Sequence, residues 1–271
     1  MYMFLGCDSL ETVDGNLSPL TNGSYMFYNC TNLSEFKSDL SSLTDGTKMF
    51  HGCVELETFT SNLRSLVNGN EMFNACSSLT TFDHDLISLE NGNYMFKGCL
   101  NLSEFSADFG TSVDRKKIDG TGMFYNCTAL TDFNADLSSL TNGNEMFYNC
   151  TSLTTFNHDL SSLENGEYMF FGCALNGDSV QKILDTIPTY EAGSEAGSQH
   201  ILDMTMDESG CIMVNEKCFM DNQTLSGSTI PHHSGRTHVP ITYKGWTIRL
   251  TTNVEGGVTL PKWRNPNYDI I

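Results

Sequence analysis

Basic residues are scarce in this chain: 14 Lys and Arg stand against 33 Asp and Glu in 271 residues, a formal net charge of -19. A surface of that sign repels nucleic-acid phosphates and anionic headgroups, so a nucleic-acid partner is not expected. Nor does any stretch approach the roughly 18 consecutive apolar residues of a membrane-spanning helix, so no membrane span is expected either. The first residues, Met1 to Cys7, have no basic n-region and no apolar h-region. They therefore read neither as a signal peptide nor, at Cys7, as a lipoprotein cleavage box. Acidic runs are missing as well, and hydrophobic residues make up 39% of the chain. That separates it from disordered acidic tails and predicts a folded protein. Its length fits one long domain or two ordinary ones.

What is present is a repeat. Met-Phe recurs at Met3, Met26, Met49, Met72, Met95, Met123, Met146 and Met169, with spacings of 23 throughout except one of 28. Four residues after each Met stands a cysteine, from Cys7 to Cys173. Seven after it comes Leu (Leu10 to Leu153), and ten after it Phe (Phe36, Phe59, Phe82, Phe105, Phe133, Phe156) with Val13 first. A unit this short cannot bury its own apolar side, so like positions must stack into ladders along a shared core. The Leu-to-Phe stretch is predicted as a short strand in a parallel sheet with neighbours about 4.8 Å apart.

Two columns report backbone geometry. Gly6, Asn29, Gly52, Ala75, Gly98, Asn126, Asn149 and Gly172 precede the cysteines. Gly and Asn tolerate positive φ, so each repeat is expected to hold a left-handed residue there, with Ala75 strained. Asn-Gly or Asp-Gly pairs at 22, 45, 68, 91, 119, 142 and 165 mark turns. Recurrences such as Asn-Leu-Ser-Glu-Phe at 32–36 and 101–105 indicate a duplicated block of three repeats. The five-residue excess falls between Phe109 and Met123, around Asp114-Arg-Lys-Lys-Ile118, the one basic cluster of the array. Since the array begins inside a repeat, the chain is expected to be a piece of a longer protein that carries the targeting signals.

The Phe-x-x-Cys-x-x-Leu-x-x-hydrophobic pattern resembles the Treponema pallidum-type leucine-rich repeats of BspA-like surface proteins, with Met-Phe where that family often has Ala-Phe. The likeness covers residue 3 to about 175. It implies an α/β-type repeat solenoid: a right-handed leucine-rich-repeat array with a parallel sheet on one face, an extracellular bacterial setting, and roles in adhesion or host contact. Where that family commonly has Pro after the strand, this chain has Asn16, Asp39, Asn62, Asp85, Asp108, Asp136 and Asp159.

After Cys173 the register breaks, which divides the chain into an array (1–174), a helical cap with a final strand (175–206) and an irregular or β tail region (207–271). Asp178 to Ile187 reads as a helix with Asp178 as N-cap and Pro188 as stop. Val180, Ile183, Leu184 and Ile187 form its apolar stripe and would cover the end of the ladders. His200 to Met206 reads as a final strand, and Tyr243 to Leu250 alternates like another.

The chemistry-bearing residues are mostly explained by the repeat. The eight repeat cysteines are expected as buried, reduced packing residues, with disulfides between adjacent rungs as the alternative. Cys211 and Cys218, with His232, His233 and His238, could form a bridge or a metal site, but their spacing matches no standard zinc module. His84 and His158 precede Asp at equivalent positions, as duplication requires, and no nucleophile motif accompanies them. The acidic strand-exit column offers oxygen ligands of the kind Ca²⁺ prefers, without the Gly-Gly-x-Gly-x-Asp pattern of calcium β-rolls. No metal or cofactor is therefore expected. Tyr25, Tyr94, Tyr168, Tyr28, Tyr125 and Tyr148 form either an exposed aromatic stripe or a row at a core edge.

The expected binding surface is the outward side of the sheet: Glu35, Lys37, Thr58, Thr60, Thr81, Asp83, Glu104, Ser106, Asp132, Asn134, Thr155 and Asn157. With no catalytic constellation in view, the sequence reads as a non-enzymatic recognition or adhesion module for a protein or glycan on a host or neighbouring cell. The alternative is a structural spacer or a phage-virion fibre component. An enzyme built on Cys211, Cys218 and the 232–238 histidines is a third reading.

Overall fold

The computed structural model describes residues 3–109, 117–190, 200–206, 211–214, 217–220, 239–252 and 262–264. His232, His233 and His238 lie outside them.

Each repeat forms one coil that pairs with its neighbours in two places. The first is the Phe strand: β1 (Thr12–Val13), β2 (Glu35–Phe36), β3 (Thr58–Phe59), β4 (Thr81–Phe82) and β5 (Glu104–Ala107). The second is the Asn-Gly turn, where Asn22, Asp45, Asn68, Asn91 and Asp119 bridge in parallel. It widens into β6 (Ile118–Asp119) beside β8 (Leu140–Asn142), while β7 (Asp132–Ala135) continues the Phe strands. Most Phe strands are two residues long, shorter than the Leu-to-Phe stretch the spacing predicts.

The turn segments between the ladders are joined too. Gly23, Tyr25, Phe27 and Asn29 donate their N–H groups to the carbonyls of Asp45, Thr47, Met49 and His51 in the next coil, at 2.7–2.9 Å. This needs two left-handed residues per coil. One is the predicted column before Cys, positive at all eight positions, with Ala75 at φ 63°. The other stands before Met and was not foreseen: Tyr25, Lys48, Glu71, Tyr94, Gly122, Glu145 and Tyr168. Apart from Gly122, these residue types carry no left-handed signature, and the conformation is imposed by the inter-coil bonds it permits.

The core consists of stacked rings. Phe4, Phe27, Phe50, Phe73, Phe96, Phe124, Phe147 and Phe170 lie 5.2–5.5 Å apart, nearly parallel. The strand phenylalanines form a second stack that meets the first edge-on, as Phe36 meets Phe50 at 4.7 Å. Each fully buried ring contributes about 1.5–3 kcal/mol, and edge contacts add to that.

The strand-exit Asn and Asp residues have a local task. The side chains of Asn16, Asp39, Asn62, Asp136 and Asp159 accept the backbone N–H two residues on at 2.8–3.0 Å. An Asx turn thus makes the bend for which a Pro is not required. Asp45 and Asp119 do the same for Thr47 and Thr121 in the turn column. Among the described residues no three His, Cys, Asp or Glu converge to hold a metal ion.

Beyond the last coil, β9 (Gly166–Leu175) leads into α1 (Gly177–Thr186), whose N-cap is Asn176 rather than Asp178. Asn176 Oδ1 accepts Ser179 N–H at 2.9 Å, and Asp178 sits in the first turn. Val180, Ile183, Leu184 and Ile187 are buried in the same core as the repeat ladders. A four-stranded sheet orders β13 (Val239–Tyr243), β14 (Trp246–Thr252), β10 (His200–Met206) and β9. Lys244 from the β13–β14 turn donates to the carbonyls of Leu184, Asp185 and Ile187 at 2.8–3.2 Å. It supplies the cation at the helix C-terminus that the helix's own last turn lacks. Trp246 is fully buried, and its Nε1 donates to Pro188 O at 3.0 Å. A further sheet comprises β11 (Cys211–Val214), β12 (Lys217–Met220) and β15 (Lys262–Arg264). In its register Cys211 stands opposite Met220 and Cys218 opposite Met213, so the two cysteines are not cross-strand partners.

Candidate interaction surface

The Phe strands alternate about their buried Phe, so the residues on either side point to solvent. Register aligns Thr12, Glu35 and Thr58 in one column and Thr81, Glu104 and Asp132 in another. Lys37, Thr60, Thr81, Asp83, Glu104, Ser106, Asp132, Asn134, Thr155 and Asn157 are exposed; Glu35 and Thr58 are half-buried. Glu35 and Lys37 pair with each other at 2.7 Å, an exposed contact of little energetic weight.

This surface is not continuous: β1–β2–β3 and β4–β5–β7 are separate sheets. A histidine stands at the break. Lys37 N–H and Thr60 N–H donate to Val13 O and Phe36 O one coil back, at 2.9 and 3.1 Å. At the next coil Phe59 O instead accepts from His84 Nε2 at 2.7 Å. The imidazole stands edge-on to both Phe59 and Phe82, whose rings are 6.4 Å apart, against 5.5 Å for Phe82 and Phe105. His158 repeats the arrangement on Phe133 O at 2.9 Å, and Phe133 and Phe156 are 6.2 Å apart. Burial pushes the His158 imidazole below its ordinary range.

The wedge at His84 opens a pocket of about 360 Å³. Thr60 and Asp83, both expected surface residues, line it together with Asn62, Arg64, His84 and Asp85. Arg64 and Asp85 pair across it at 2.7 Å, while the Asp83 carboxylate is 82% exposed. The other expected residues lie along the coils outside this pocket. Asp85 belongs to the strand-exit column, whereas Arg64 belongs to no repeated column, so the spacing does not single it out.

The cysteines are chemically quiet. Each thiol from Cys30 to Cys173 donates to the Phe carbonyl of the coil behind at 2.9–3.2 Å. Burial raises all seven thiols above their ordinary range, and all are free. Tyr25, Tyr28, Tyr94, Tyr125 and Tyr148 are half-buried and Tyr168 is exposed; Tyr125 stacks on Tyr148 at 4.6 Å, and Tyr168 meets Tyr148 edge-on. Lys97 lies 4.9 and 4.8 Å from the Tyr94 and Tyr125 rings. A side chain at Gly122 would overlap the Tyr94 ring, which reaches across that position to Glu145 at 3.2 Å. Ring faces in this stripe are thus largely taken up within the protein.

Stacked coils with two parallel ladders define a repeat solenoid. A family model described as BspA type leucine rich repeat region matches residues 1–116, 69–191 and 116–237 in six copies, and the chain belongs to that family. Arrays of this kind are protein-interaction modules, generally without catalysis, and typically surface or secreted. No curated protein and no solved structure matches the chain. No helix among the described residues is long and apolar enough to cross a membrane.

Proposed function

We propose that this chain is an extracellular recognition or adhesion module of a bacterial surface, without enzymatic activity. Its ligand is a protein or glycan of a host or neighbouring cell, held on the outward side of the Phe-strand sheet. The His84 pocket carries this reading. It interrupts the face between β3 and β4 and gathers Thr60, Asp83, Arg64 and Asp85 around a cavity large enough for a side chain or sugar ring. On this reading the coils wind right-handedly, as in the resembled family, and residues 175–206 cap the array of 1–174.

The test fills the pocket and removes its exposed charge with Thr60→Tyr and Asp83→Ala together. Binding of the purified chain to cultured host cells and to immobilised extracellular-matrix proteins is then compared with the parent at equal thermal stability. Loss of binding is expected. Undiminished binding removes this face as the site, and a parent that binds nothing leaves the array as a structural spacer or fibre component.

A further inference from the structure

A second pocket, of about 280 Å³, lies on a different face of the coils, beside the turn ladder. Lys117 of the lengthened coil forms one side of it, and Ser139 and Thr141 of the next coil another. Ser162 and Glu164 of the coil after that and Tyr190, which follows α1, complete its main lining. Identical coils can produce only identical grooves. Here the two departures from the repeat, the lengthened coil and the C-terminal unit, each contribute a residue to one cavity.

Its chemistry is specific. Lys117 Nζ and Glu164 Oε1 pair at 2.7 Å across two coils, so the charges cancel and neither sign dominates. Tyr190 is fixed: its hydroxyl donates to Leu163 O at 2.8 Å and its ring stacks on His200 at 3.6 Å. Thr141 spends its proton on Ile118 O at 3.3 Å and keeps lone pairs. The hydroxyls of Ser139 and Ser162 hold no hydrogen bond among the described residues. Free hydroxyls that both donate and accept, a neutralised ion pair and an aromatic wall complement a ring that presents alternating hydroxyls and an apolar edge. A phosphate or other anion would meet a single lysine already paired, on a protein of net charge -19. The volume, just under the usual range for small-molecule pockets, suits one sugar ring or the end of a chain.

We propose that this cavity is a saccharide-binding site, separate from the sheet-face site and independent of it. An array printed with neutral and sialylated oligosaccharides is probed with the intact chain. The strongest hit is titrated by saturation-transfer NMR against the parent, the Ser139→Ala/Ser162→Ala double variant, Glu164→Gln and the sheet-face variant Thr60→Tyr/Asp83→Ala. Each pocket variant is expected to weaken binding about tenfold, the loss of one or two hydrogen bonds, while the sheet-face variant binds as the parent does. Absence of any bound oligosaccharide, or equal binding by pocket variants and parent, overturns the proposal. Binding lost only in the sheet-face variant also overturns it and supports the other face instead.

Discussion

The thiol of Cys76 lies 3.2 Å from the carbonyl oxygen of Phe50, one coil behind. Cysteine is the residue that fits this position: small enough for the stack, apolar enough for burial, and able to donate weakly to a carbonyl facing the core. Cys76→Ala is expected to lower stability by about 1–2 kcal/mol through lost packing and an unpaired carbonyl, measured by urea unfolding. In native protein, maleimide labelling followed by peptide mapping should leave Cys53 through Cys173 unmodified. Rapid native labelling of Cys76 would contradict the assigned burial.

The period of 23 with its ladders was plain in the sequence because side-chain burial repeats with the coil. What the backbone does between the ladders was half legible. Gly and Asn before Cys advertise positive φ, whereas Tyr25, Lys48 and Glu71 adopt it without any such mark. His84 illustrates a second limit. Its place in a duplicated block accounts for its recurrence at His158 but not for its bond to Phe59 O, a tertiary event at the break in the sheet. Tyr243 to Leu250 alternates like one strand, yet a left-handed turn at Lys244 and Gly245 divides it between β13 and β14, and the parallel pairing of Trp246–Thr252 with His200–Met206 joins segments distant in sequence, a partner on which local alternation carries no information.

Ala75 is the one residue of its column that is neither Gly nor Asn, and it holds φ 63°. Left-handed backbone costs an L-residue with a Cβ about 1–2 kcal/mol, while glycine's extra freedom in the unfolded chain offsets part of the relief. Ala75→Gly should therefore stabilise the protein by roughly 0.5–1 kcal/mol, read as a higher unfolding midpoint at unchanged m-value. A lower midpoint would mean that the Ala75 methyl contributes more packing than its half-buried position implies.

His158 titrates against the fold. Burial holds its folded value below the ordinary 6.5, so above pH 6.5 both folded and unfolded chains carry it neutral. Below that, the unfolded chain takes up the proton first, and stability falls with pH until the depressed folded value is passed. His51, lowered in the same direction by burial, adds to the effect. His158→Gln should lose less stability than the parent between pH 7 and pH 5, whatever its stability at pH 7. Equal slopes for the two proteins would show that His158 is free to protonate in the fold.

Arg249 joins the C-terminal sheet to the last coil. Its Nε and Nη2 each donate to Asp203 at 2.6 Å, its guanidinium reaches Glu167 at 3.2 Å, and Asp203 also accepts Tyr168 N–H at 2.7 Å. The Asp203 side chain is only 1% exposed, so removing the arginine strands a buried carboxylate with one backbone donor. Arg249→Met is expected to cost about 3 kcal/mol, and adding Asp203→Asn should restore part of it, because an amide tolerates burial better than an unpaired charge. Hydrogen exchange locates the effect: protection should fall first in β9, β10 and β14 while the middle coils keep theirs. Uniform loss of protection along the whole array would mean that the C-terminal unit and the coils unfold as one, and that this clamp secures the solenoid rather than its end.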